Sequence, residues 1–225
     1  MIKKIYNLSI FLIFLIFTVI YLRYINYGLP FFLNNDEGSF LKSTIYFFYF
    51  FSEKYKYLSD PFFAPFFNFV IVSILALVYG FLNFDVFEIT KQIYFDPSLL
   101  IIFGRLASLL ICVTGVFFSY LILKKLKISK ILIINLLVSL CFSFFFLDIA
   151  IVNGKNSYYF LFFLIQYYLF SKFFLKIEKF NKKSYILFGL IGACAWGVNY
   201  FCSIVSIYSI LILHFKKFGK NKIHY

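Results

Sequence analysis

The chain has 225 residues, 63% of them apolar, and a mean hydropathy of +0.92. Several continuous apolar runs exceed the ~20 residues that a helix needs to cross a bilayer, which points to a polytopic α-helical membrane protein and, since the runs do not alternate, excludes a β-barrel. The formal charge of +13 comes from lysines clustered in short loops between the runs, the positive-inside pattern, and does not call for a nucleic-acid partner.

Residues 5–27 read as the first span. Lys3 and Lys4 place its start in the cytoplasm, and its apolar run is too long for a cleaved signal peptide, so it reads as an uncleaved anchor. Residues 28–98 form a long external loop that holds seven of the nine carboxylates. Within it, residues 61–84 are apolar enough to cross, yet a crossing there would turn both later lysine-rich loops outward. The run is therefore expected to be a juxtamembrane helix that lies along or dips into the outer leaflet, with Pro61 and Pro65 at its start.

Further spans are expected at 99–123, 131–150 and 157–175, separated by the lysine-rich segments 124–130 and 172–183. Residues 185–214 are long for one span. Two half-length helices turning near Asn199 would return the tail, 216–225, to the cytoplasm; a single tilted span is the alternative. The expected fold is thus all-α, one module over residues 1–225, with about five or six transmembrane helices. The expected location is the plasma (inner) membrane, multi-pass, with a cytoplasmic N-terminus.

The chemistry-bearing residues are few. Cys112, Cys141, Cys194 and Cys202 lie inside apolar spans without metal-ligand spacing and read as small apolar residues. His214 and His224 are isolated, and no zinc site is visible. The 37 Phe and 19 Tyr, in a Lys-rich and Arg-poor chain, read as codon drift among lipid-facing residues. What stands out is Asp36-Glu37, a carboxylate pair just beyond the first span. A carboxylate at a membrane surface can act as general base toward an acceptor or help to hold a divalent cation.

Four segments together carry a resemblance. Asp36-Glu37 follows the first span. Asp60-Pro61-Phe62-Phe63-Ala64-Pro65-Phe66 opens an apolar helix. Phe103-Gly104-Arg105-Leu106-Ala107-Ser108 leads into a span that ends at Leu123-Lys124-Lys125. The segment from Gly189 to Tyr200 is glycine-rich and ends on an aromatic. In this order the chain resembles the N-terminal module of GT-C glycosyltransferases, in the protein-mannosyltransferase and aminoarabinose-transferase branch.

The resemblance implies transfer of a sugar from a polyprenyl-phosphate donor to a lipid, glycan or protein acceptor at the external face of the cell envelope, among membrane lipids. Asp36 would be the catalytic carboxylate and Glu37 its neighbour in support. Asp148 matches a second external carboxylate, and Arg105 and Lys155 fall where a donor phosphate would be met; for Arg105 a structural counter-charge to a loop carboxylate is the equal alternative. Metal dependence differs within the family; Asp36 and Asp148 would be the ligands of a divalent cation. Two positions depart from the pattern, because relatives often have Arg where Lys155 stands and Thr-Lys where Asn199 stands. Family members usually carry further spans, so the chain is expected to be a short member, a fragment or one part of a split enzyme. The competing reading is a non-catalytic membrane protein, a transporter subunit or assembly partner that retains the fold.

Overall fold

The structure, a computed structural model, describes residues 2–25, 63–83, 98–151, 154–198 and 200–218. These residues are helical, apart from short turns: α1 (Ile2–Tyr24), α2 (Phe63–Asn83), α3 (Ser98–Lys125), α4 (Lys130–Cys141), α5 (Phe144–Ile151), α6 (Lys155–Leu175), α7 (Lys182–Val198) and α8 (Tyr200–Phe218). Among the described residues, four stretches are long and apolar enough to cross a membrane: Lys4–Tyr24, Ile101–Lys125, Asn156–Leu175 and Phe201–Phe218. The protein is a helical, multi-pass membrane protein.

Burial on α1 shows why these helices need lipid. Ile13, Phe17 and Tyr21, spaced four apart, form its buried stripe, while Leu8, Phe11, Leu15 and Val19 are exposed. Side chains four apart share one helix face, so α1 touches protein along a narrow seam and presents the rest of its apolar surface outward. In water that surface would be an aggregation site.

Helix α3 is the axis of the bundle and is buried along much of its length, at Ile101, Phe103, Arg105, Ala107, Leu109, Ile111, Cys112, Val116 and Ile122. Helix α1 packs antiparallel to it: Tyr21 meets Arg105 near one end and Tyr6 meets Tyr120 near the other. Helix α6 runs parallel to it. Ile111 clusters with Tyr158, Gly115 faces Phe160 and Leu164, and Phe118 packs on Tyr168 at 5.5 Å. The close approach at Gly115 needs a glycine, because a Cβ there would lie 2.7 Å from Phe160 Cδ1.

For two consecutive spans to be parallel, the chain must return between them, and α4 and α5 make that return. The turn from α3 into α4 closes with Ile128 N donating to Leu123 O and Lys127 N to Lys124 O. This is a Schellman-type stop, with Lys127 in the left-handed region at φ 57°. Glycine is the usual residue there, so the sequence gives no warning of it. Ser129 then caps α4 by accepting from Leu132 N at 3.4 Å.

The expected span 131–150 is interrupted. Ser143 Oγ donates to Leu140 O at 3.1 Å and accepts from Phe146 N at 3.2 Å. One hydroxyl thus serves the end of α4 and the start of α5. A break at membrane depth survives only where such a partner replaces the missing helical bonds.

Helices α7 and α8 form an antiparallel hairpin. Tyr185 Oη lies 2.9 Å from His214 Nδ1 at its base, and Gly192 faces Ser206 at mid-height. The pair is broken where expected, but its helices have 17 and 19 residues. At ~1.5 Å per residue each approaches the thickness of a hydrocarbon core, so neither is a half-length piece. The hairpin is set against α6 by the turn 176–181. Buried Phe180 sits 5.7 Å from Phe173 and 6.5 Å from Phe188. Asn181 and Ser184 cap α7 reciprocally: Ser184 N donates to Asn181 Oδ1 and Asn181 N to Ser184 Oγ.

Together these contacts bring the lysines of the α3–α4 turn and the end of α8 to one end. Lys130 Nζ lies 5.7 Å from the Tyr6 ring, Lys125 Nζ 4.5 Å from the Tyr168 ring, and Lys216 Nζ 2.6 Å from Phe174 O. The start of α1, the α3–α4 turn, the α6–α7 turn and the end of α8 therefore share a side of the bundle.

Helix α2 forms over the expected run. It packs antiparallel to the first half of α3 only, with Tyr79 on Phe103 at 5.6 Å and Phe67 and Ile71 beside Ile111. Its first turns sit level with the start of α6 and the end of α7, through Tyr158 and Val198.

Candidate functional site

The end opposite the lysines gathers four features: the exit of α1, the first half of α3 with α2 against it, the α5–α6 junction, and the α7–α8 turn. Arg105 is the charged residue embedded there, 4% exposed. Its Nη1 donates to Ile25 O at 2.7 Å, and the Tyr21 hydroxyl donates to its carbonyl. The last carbonyls of a helix lack intrahelical partners and carry the negative end of its dipole. A guanidinium at Ile25 answers both needs, so Arg105 caps the end of α1.

A second polar pair lies beside it. Tyr158 Oη donates to Asn68 Oδ1 at 3.0 Å, and both residues are buried. The bond ties α2 to α6 across 90 residues of sequence and satisfies an amide oxygen that would be costly to leave bare in an apolar setting. Phe67 reinforces the tie against Phe162, with ring centroids 5.7 Å apart.

The sequence-derived candidates fall as follows. Asp36 and Glu37 lie outside the described residues. Asp148 is in α5, two residues beyond Phe146, whose ring lies 5.5 Å from Phe17 and 4.9 Å from Phe160. Lys155 is the first residue of α6, one turn before Tyr158. Arg105, Asp148 and Lys155 thus belong to elements that meet at the same end. Among the described residues, no three His, Cys, Asp or Glu converge as a metal group.

Sequence reasoning missed Tyr21, the pairing of Asn68 with Tyr158, and Gln166. Tyr21 was recoverable from its register with Ile13 and Phe17. Gln166 was recoverable as a lone amide within an apolar span. It is fully buried, and neither its Oε1 nor its Nε2 has a hydrogen-bond partner. It sits one heptad before Phe173, whose ring packs 6.1 Å from Phe188 of α7, so it shares the face of α6 turned to the hairpin. Ser206 Oγ, on the buried stripe Ser203–Ser206–Ser209 of α8, is likewise without a partner.

Gln166→Leu is expected to stabilise the protein by about 1 kcal/mol, since it removes an unsatisfied amide at little change in shape. Thermal unfolding of the purified protein in detergent measures this. An equal loss of stability would mean that the amide is partnered in the membrane.

No protein-family model matches the chain, and neither does any curated protein or solved structure.

Proposed function

We propose that this chain is the N-terminal module of a GT-C-type glycosyltransferase, which moves a single sugar from a polyprenyl-phosphate carrier to an acceptor. The observation that carries this reading is the shared end. Arg105, Asp148 and Lys155 lie on elements that converge opposite Lys125, Lys130 and Lys216, and α1, which precedes Asp36 in the sequence, ends there. If the lysine side is cytoplasmic, as the positive-inside rule has it, the convergent end faces outward.

In this reading Asp36 deprotonates or orients the acceptor, and Glu37 supports its geometry. The acceptor attacks the anomeric carbon from the face opposite the leaving phosphate. One in-line displacement forms the new glycosidic bond, breaks the bond to the phosphate oxygen and inverts the carbon. The carrier phosphate departs with the bonding electrons. Lys155 would meet that phosphate as a point charge. Arg105, held on the end of α1, would contribute a fixed positive field. The carrier's lipid tail would lie between helices, and α2, as an outer-leaflet element, would lie beside that path.

Gln166 favours a second reading, a non-catalytic protein such as a transporter subunit. A buried amide without a partner within a span is a feature of transport paths as well as of helix packing.

Cysteine accessibility separates the two. With the native cysteines replaced, Asp36→Cys, Asp85→Cys and Asp148→Cys are expected to react with an impermeant maleimide from one side of the membrane. Lys127→Cys is expected to react only from the other. Labelling of positions 36 and 148 from opposite sides would sink the transferase reading, since no common centre could form.

A further inference from the structure

The lysines at the basic end are not equivalent. Lys216 Nζ donates to Phe174 O at 2.6 Å, and Lys217 Nζ donates to Phe180 O. Both are engaged with carbonyls at the end of α6 and in the turn that follows, where cations satisfy orphan acceptors. Lys125, Lys172 and Lys176 form a different group. Lys125 closes α3, Lys172 lies in the last turn of α6, and Lys176 follows that helix directly.

Because α3 and α6 run parallel, their basic ends arrive side by side. The charges that act on Lys125 are Lys172 and Lys176, both of its own sign. Its ammonium sits over the Tyr168 ring at 4.5 Å, a favourable cation–π arrangement that leaves the net charge uncancelled. Positive-inside topology asks only for lysines in the loops. It does not ask for three of them to converge on one seam between two spans.

We propose that this seam, floored by Tyr168 and ringed by Lys125, Lys172 and Lys176, binds the headgroup of an anionic phospholipid that carries two phosphates. Lys176 is the residue that ends α6, four positions after Lys172, and both act on Lys125 at the end of the neighbouring helix. A lipid with one phosphodiester would neutralise a single charge. Two phosphodiesters joined by a short bridge reach both helices and clamp α3 to α6 at their ends. The acyl chains then lie against the exposed apolar faces of the same spans. This site is at the opposite end from the proposed transfer centre and does not depend on it.

Native mass spectrometry of the full chain, titrated with cardiolipin, phosphatidylglycerol, phosphatidylcholine or inorganic pyrophosphate, tests the proposal. Cardiolipin is expected to bind tightest. Each juxtamembrane lysine near an anionic headgroup contributes an attraction that corresponds to about a fivefold change in affinity. Lys172→Gln with Lys176→Gln should therefore weaken cardiolipin binding by roughly 25-fold, and Lys125→Gln alone by roughly fivefold. Lys182→Gln with Lys183→Gln removes the same net charge from the start of α7 and is the control for a diffuse effect. An equal loss in that control overturns the proposal, as does equal binding of cardiolipin and phosphatidylcholine. Pyrophosphate binding as tightly as cardiolipin overturns it too, because the seam would then recognise soluble phosphate and not a lipid.

Discussion

Replacing Asp36 with Asn is expected to reduce sugar transfer by roughly 10²–10⁴-fold, the usual contribution of a general base, with no change in membrane insertion. The substitution keeps the size of the side chain and removes its capacity to take a proton. Position 36 follows α1 in a polar stretch of sequence, Asn34-Asn35-Asp36-Glu37-Gly38-Ser39. The measurement is turnover of a purified polyprenyl-phosphate sugar by the chain, supplied with any segment it requires for activity. Full turnover by Asp36→Asn would remove this carboxylate from the mechanism. Glu37→Gln serves as the internal comparison and should cost less, since that residue is assigned to supporting geometry.

Arg105→Leu is expected to destabilise the protein by about 1.5–3 kcal/mol, the range for a hydrogen bond made by a charged group. The loss has a specific origin: Ile25 O at the end of α1 is left without its cation, in a place where the guanidinium is almost fully enclosed. Arg105→Lys restores a charge and a donor but not the planar fork, and should recover part of the loss. Thermal unfolding reads the structural effect, and donor KM set against kcat reads the chemical one. Lost stability with unchanged kinetic constants would make Arg105 a positioning residue for the chain leaving α1. A raised KM at unchanged stability would assign it to the donor phosphate.

Much of the bundle was legible in the sequence because bilayer physics leaves few options. Apolar length located α1, α3, α6 and α8. The argument that α2 cannot cross rests on the signs of two lysine-rich loops, and the parallel packing of α3 and α6 brings those two loops to one side, where Lys172 acts on Lys125. The break near residue 199 was anticipated from an excess of length.

What was not legible has local causes. The stop of α3 uses Lys127 at a positive φ, where a glycine would have advertised the turn. The interruption at Ser143 depends on one hydroxyl in an apolar run, and serine also occurs within unbroken spans. Among the candidate site residues, sequence placed Arg105 near the outer end of its span but left open whether it faced a phosphate or a counter-charge. The hydrogen bond that Arg105 makes to Ile25 O, 80 residues away, is a tertiary contact with no periodicity to reveal it. Likewise, Tyr158 and Asn68 become partners only once α2 is laid across the start of α6.

The hairpin of α7 and α8 has a consequence for biogenesis. Because it doubles back on itself, its two helices can enter the bilayer together, and no lysine at 216 or 217 has to be carried across. Whatever segment leaves the last helical turn emerges on the ribosome's side if the N-terminus does.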